Sequence, residues 1–129
     1  MKVVEIAFTC YPVTDLQRAR AFYESVLGLK ESRFFGAGEE GWVEYDIGPG
    51  TLSIGRGESL DWKPSSGGGS VGLEVDDFDA AIAELKSQGC QFFLEPLETP
   101  VCHMAVISDP DGNSITIHRR KASSDPRGA

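Results

Sequence analysis

One helical unit occurs twice in this chain, and that repetition limits its fold more than any other feature. Val13-Thr14-Asp15-Leu16 opens an amphipathic stretch that Gly28 closes, and Val75-Asp76-Asp77-Phe78 opens a second that Gly89 closes. Asp15 and Asp77 stand 62 positions apart and the two glycines 61, so the copies differ by a single-residue slip. Each copy follows a short apolar strand pattern and precedes strand patterns that end near Ile54 and Ile117. The 129 residues amount to one domain's worth of chain, so two copies of strand, helix and strands must share their stability. Two half-sheets placed side by side leave a groove, and grooves hold ligands.

The net charge of −8 argues against nucleic-acid phosphates or an anionic membrane as the main partner. No apolar run reaches the roughly 20 residues that span a bilayer, and the chain opens on strand pattern, so a cytoplasmic location is expected. Three widely spaced cysteines, Cys10, Cys90 and Cys102, support neither a disulfide framework nor a zinc knuckle.

Val3 to Phe8 alternates apolar Val4, Ile6 and Phe8 with Val3, Glu5 and Ala7, the period of a strand with one face on a core. Thr14, with Gln17 three residues on, has capping-box spacing before a helix whose Leu16, Ala19, Phe22, Tyr23, Val26 and Leu27 share a face. Trp42 to Ile47 and Thr51 to Ile54 read as a hairpin about Gly48-Pro49-Gly50. Between Arg56 and Gly69 the period disappears, and Pro64-Ser65-Ser66-Gly67-Gly68-Gly69 reads as a flexible connector. The organisation expected is a single domain with a first module over about 3–57, a linker over 58–69, a second module over 70–119 and a frayed tail over 120–129.

In the second module Val71, Leu73 and Val75 share one strand face, and Asp76 is the expected cap of a helix that buries Phe78, Ala81, Ile82 and Leu85. Val101 to Ile107 and Ser114 to His118 are strand patterns separated by Asp109-Pro110-Asp111-Gly112, with Pro at the second turn position and Gly at the fourth.

Two stretches carry a family resemblance. Val13-Thr14-Asp15-Leu16 leading into Arg20-Ala21-Phe22-Tyr23 and Val26-Leu27-Gly28-Leu29 is similar to the first-helix signature of the vicinal oxygen chelate superfamily, which contains glyoxalase I, the bleomycin resistance proteins and the extradiol dioxygenases. Asp109-Pro110-Asp111-Gly112-Asn113 resembles that family's final hairpin signature. The resemblance covers about residues 3–119. It implies an α+β fold of two βαβββ modules whose curved mixed sheets surround a cleft, often completed by a homodimer. Whether modules pair within a chain or across a dimer stays open.

In metal-dependent members a His or Glu stands on the first and last strand of each module. The resemblance carries those positions onto Glu5 and Ser53 in the first module and onto Ser70 and Thr116 in the second. Neutral hydroxyls bind divalent transition metals far more weakly than imidazole or carboxylate, so no metal or other cofactor is expected at a Glu-Ser-Ser-Thr set.

Period-two alternation also separates two sheet faces. Val4, Ile6, Phe8, Leu52, Ile54, Val71, Leu73, Val75, Ile115 and Ile117 form an apolar set suited to packing under helices. The opposite set, Glu5, Ala7, Thr9, Ser53, Gly55, Ser70, Gly72, Glu74, Ser114, Thr116 and His118, is small and polar and suits a cleft wall. Glu5 and His118 are the candidate catalytic groups, and Glu5, Ser53, Ser70, Glu74, Thr116, His118 and Trp42 the candidate ligand contacts. Cys102 and His103 are adjacent, so on a strand they face opposite ways and form no nucleophile and base pair. Trp62 is a candidate lid or dimer contact. Two functions follow: a metal-free protein that sequesters a small organic molecule, or a lyase, isomerase or dioxygenase that holds a divalent ion through a relocated set of Glu5, Glu74 and His118.

Overall fold

The computed structural model of the chain describes residues 2, 4–37, 39–57 and 63–122. Trp62, residues 58–62 of the expected linker and the tail beyond 122 lie outside the described residues. The chain divides into two compact units, Met1–Pro64 and Ser65–Ala129.

The first unit runs β1 (Thr9–Pro12), α1 (Leu16–Ala21), a π-helical turn (Phe22–Val26), β2 (Glu31–Ala37), β3 (Glu40–Ile47) and β4 (Gly50–Arg56). Its sheet has the order β1-β4-β3-β2, with β1 parallel to β4 and the other pairs antiparallel. In the second unit β5 (Val71–Glu74), α2 (Phe78–Ser87), β6 (Phe92–Glu98), β7 (Cys102–Ser108) and β8 (Ser114–Arg120) repeat the plan in the order β5-β8-β7-β6. Each unit is therefore a βαβββ module.

Both helices begin on an aspartate. Asp15 accepts from the Arg18 N–H and Asp77 from the Ala80 N–H, each at 3.0 Å, which satisfies a donor that the first turn leaves open. The caps expected at Thr14 and Asp76 thus fall one residue late, and the 62-residue repeat holds for the true caps. Gly28 and Gly89 close the helices at φ 72° and 74°, the left-handed conformation that glycine adopts without a Cβ penalty. The single-residue slip has a structural counterpart: the first helix takes up its extra residue in the π turn, where the Leu27 N–H reaches the Phe22 carbonyl.

The first strand is displaced from its expected position. Of the strand expected over Val3 to Phe8, the described part, Val4–Phe8, precedes β1 and is exposed, with Val4 78%, Ile6 82% and Phe8 50% accessible. β1 pairs Thr9 with Leu52 and Tyr11 with Ile54, so Thr9 and Tyr11 share the helix-facing side that Val4, Ile6 and Phe8 were expected to occupy. Tyr11, Val13, Leu16, Ala19, Phe22, Tyr23, Val43, Tyr45, Leu52 and Ile54 make up this unit's core. Tyr23 stacks on Tyr45 at 6.1 Å and ties helix to sheet. The Tyr45 hydroxyl donates to Glu24, whose carboxylate also takes the Arg20 Nε–H. Burial, and then that Glu24 contact, pushes the Tyr45 phenol upward, so it stays protonated.

The second core gathers Phe78, Leu85, Ala105, Ile107, Ile115 and Ile117. Two strands, β2 and β6, had no pattern in the sequence to announce them; both lie at sheet edges, largely exposed and bulged, and β6 includes Pro96, which an edge position tolerates. The described end of the connector is anchored rather than loose. The Ser65 N–H donates to Asn113 Oδ1, the Ser114 hydroxyl to the Ser66 carbonyl, and the Gly67 N–H to Ser65 Oγ.

Candidate functional site

In the first unit the sheet face away from the helix is built by alternation. Since Val43 and Tyr45 point to the core, Trp42 and Glu44 point the other way; register places Trp42 beside Phe35 and Gly55, and Glu44 beside Arg33 and Ser53. Cys10 on β1 is the other neighbour of Ser53. The Glu44 carboxylate takes the Arg33 Nε–H at 2.5 Å and the Trp42 indole N–H at 2.8 Å, while Arg33 also bridges to Asp46 at 2.8 Å. These contacts from Arg33 and Trp42 hold Glu44 below the usual carboxylate range. Burial, reinforced by the Glu44 charge, pushes the Cys10 thiol up to about 12, so it is no nucleophile. Phe8 meets Trp42 edge-on at 5.2 Å. Ser53 is fully buried, and its hydroxyl has no hydrogen-bond partner among the described residues.

Glu5 belongs to the exposed segment before β1 and stands on no strand. Its first-strand position is corrected by the repeat: Thr9 pairs with Leu52 as Val71 pairs with Ile115, so the first-module counterpart of Ser70 is Phe8, not Glu5. An aromatic ring offers a metal no lone pair.

The second unit brings its expected residues together in two pairs. Ser70 Oγ and Thr116 Oγ1 lie 3.1 Å apart and bond to each other. Glu74 and His118 are register partners across the parallel β5 and β8, and His118 Nδ1 sits 2.6 Å from Glu74 Oε1. The second carboxylate oxygen takes the Arg120 N–H at 2.8 Å, with the Arg119 guanidinium at 3.9 Å. Gly72 separates the pairs on the same face, and a Cβ there would meet nothing within 4 Å. Met104 and Val106 on β7 flank His118 and Thr116. His103 lies on the other face, its ring 5.6 Å from Phe78, while Cys102 is buried with Sγ 3.2 Å from Thr99 Oγ1, so the two remain apart as expected.

Burial works upward on Glu74, but the Arg120 N–H and His118 outweigh it and hold the carboxyl below its ordinary 4.5. A depressed carboxyl stabilises the fold above its ordinary value, and the contribution fades as pH falls through the folded value. Glu74→Gln should therefore lower Tm at neutral pH, with the gap to wild type closing below about pH 4.5, which a melting series over pH would show. A gap independent of pH would mean that Glu74 acts through packing alone.

The superfamily's metal positions do not suit a divalent ion in this chain. Ser70 and Thr116 spend their hydroxyls on each other, Ser53 is a neutral hydroxyl, and the fourth position is Phe8. Among the described residues no three His, Cys, Asp or Glu side chains gather closely enough to hold a metal ion. Glu74 and His118, two members of the relocated set, meet within the second unit. Glu44, which stands beside Ser53, and Asp46 went unread in the sequence, although the alternation from Trp42 places both on its face.

Among the described residues no helix is long and apolar enough to cross a membrane. Solved structures share this architecture. TnmS3, an antibiotic binding protein from Streptomyces sp. CB03234, is 25% identical with a TM-score of 0.73, over 94% of this chain and 99% of that one. A glyoxalase/bleomycin resistance protein from the same organism is 25% identical with a TM-score of 0.70, covering 89% of this chain and all of its own. The glyoxalase family protein from Enterococcus faecalis, 21% identical with a TM-score of 0.70 over 89% of this chain and 97% of its own, shares the fold. No curated protein matches the chain. The family description Glyoxalase/Bleomycin resistance protein/Dioxygenase superfamily matches residues 5–117, and the chain belongs to that superfamily.

Proposed function

We propose that this protein is a metal-free member of its superfamily that binds a small organic molecule in the cleft implied by that fold, sequestering it without turnover. The observation that carries the reading is the mutual bond of Ser70 and Thr116, two hydroxyls that stand where metal-dependent relatives place ligands. Thr116, His118 and Glu74 give the second unit's sheet a hydrogen-bonding face that suits an organic ligand, the Trp42 indole gives the first unit's sheet an aromatic one, and the antibiotic-binding TnmS3 supports the class.

Metal content by plasma mass spectrometry, before and after dialysis against a divalent-metal mixture, tests it. Substoichiometric metal in both samples is expected; near-stoichiometric retention sinks the reading. One observation favours a second reading: Glu74 and His118 are already paired, as two members of a relocated metal set would be. A divalent-metal lyase, isomerase or dioxygenase using Glu5, Glu74 and His118 predicts metal-dependent stabilisation that disappears in Glu5→Ala and in His118→Ala.

A further inference from the structure

The geometry points to a phenolic or enolic ligand whose acidic hydroxyl gives its proton to His118 Nε2, with Glu74 as the positioning residue that fixes the imidazole. This deepens the small-molecule reading and rests on it. His118 Nδ1 is 2.6 Å from Glu74 Oε1, and a carboxylate accepts, so Nδ1 carries a proton and, in the neutral ring, Nε2 is the lone-pair nitrogen. Nε2 has no hydrogen-bond partner among the described residues, and the His118 side chain as a whole is 28% accessible, so the ring is not sealed from solvent. Glu74 cannot swing away without losing the Arg120 N–H, which anchors its other oxygen.

The floor beside this nitrogen suits a flat ring. Gly72 leaves the strand surface bare between Thr116 and Glu74, while Val106 and the polarizable thioether of Met104 lie alongside as apolar ground. A strong acid would arrive already ionised and would need a donor where the structure offers an acceptor. A weakly acidic hydroxyl still carries the proton that a lone-pair nitrogen takes. The O–H bond of the ligand breaks, its proton bonds to Nε2, and the electron pair stays on the ligand oxygen as phenolate or enolate. Imidazolium then stands between that anion and the Glu74 carboxylate, and no further reagent is required.

Two measurements on the full chain test this. Long-range proton–nitrogen NMR correlation of ligand-free protein should show His118 with Nδ1 protonated and Nε2 bare; the opposite tautomer overturns the inference. In the second, 4-nitrophenol is titrated at a pH where the free probe is mostly neutral, so that ionisation on binding is read from its phenolate absorption. Wild type should develop the phenolate band, His118→Asn should lose it, and Glu74→Gln should reduce it at least tenfold. Gly72→Val should block the probe without lowering Tm, because a Cβ there meets nothing within 4 Å and a β-branched residue suits a strand. Binding of 4-nitroanisole, which lacks the hydroxyl, as tightly as 4-nitrophenol overturns the proton transfer while leaving small-molecule binding intact. If neither probe binds, the phenol assignment fails, and a thermal-shift screen of other organic ligands decides the sequestration reading separately.

Discussion

Asp109→Ala should destabilise the protein by about 3 kcal/mol, a fall in Tm of roughly 10 °C, in thermal or urea unfolding. The Asp109 carboxylate is buried and holds three donors at once: the Asp111 N–H at 2.9 Å, the Asn113 N–H at 2.8 Å and the Asn113 side-chain amide at 2.8 Å. Alanine leaves those donors without an acceptor in a place that water does not reach, and the orphaned donors cost more than the lost bonds themselves. Asn113 in turn holds the Ser65 N–H, so the loss spreads to the connector beside it. Asp109→Asn keeps an acceptor for the two backbone N–H groups and should lose only about 1 kcal/mol. Equal losses in the two variants would show that charge, rather than acceptor geometry, holds the turn.

Tyr11→Ala should cost about 3–4 kcal/mol, whereas Ile6→Ala should stay within about 0.5 kcal/mol of wild type, by urea midpoints at matched slope. Tyr11 is buried on the helix-facing side of β1 beside Ile54, and truncating it opens a cavity in the first core. Ile6 already faces water, so alanine exposes little more. The contrast tests the position of the first strand directly. Were Val4, Ile6 and Phe8 the buried face, the two effects would change places.

That reversal marks what alternation can and cannot reveal. Val4, Ile6 and Phe8 alternate as cleanly as Thr9, Tyr11 and Val13, and a period of two carries no information about where along the chain the pairing begins. The repeat did carry it: Val71–Glu74 moved back by the 62 residues that separate Asp15 from Asp77 is Thr9–Pro12. The helices were legible because their buried stripes and closing glycines point to the same ends, although the caps at Asp15 and Asp77 were read one residue early, at Thr14 and Asp76. β2 and β6 were not, because strands exposed at a sheet edge need no buried face and so keep no alternation. In the site, residue types and strand faces could be read for Ser70, Glu74, Thr116 and His118. Their pairing could not, since the parallel register of β5 with β8 is decided by contacts between strands far apart in sequence.

The π turn in the first helix also bears on how the two halves of this chain can be compared. Inserting one residue into a regular α-helix turns everything beyond it by about 100° and would swing a buried face into water. Here the surplus is confined to one wide turn, and Phe22 and Tyr23 remain buried. Any alignment of the halves must therefore open its gap inside the helix, where scoring schemes penalise gaps most heavily, and an ancestral duplication can be missed by methods that expect length changes only in loops.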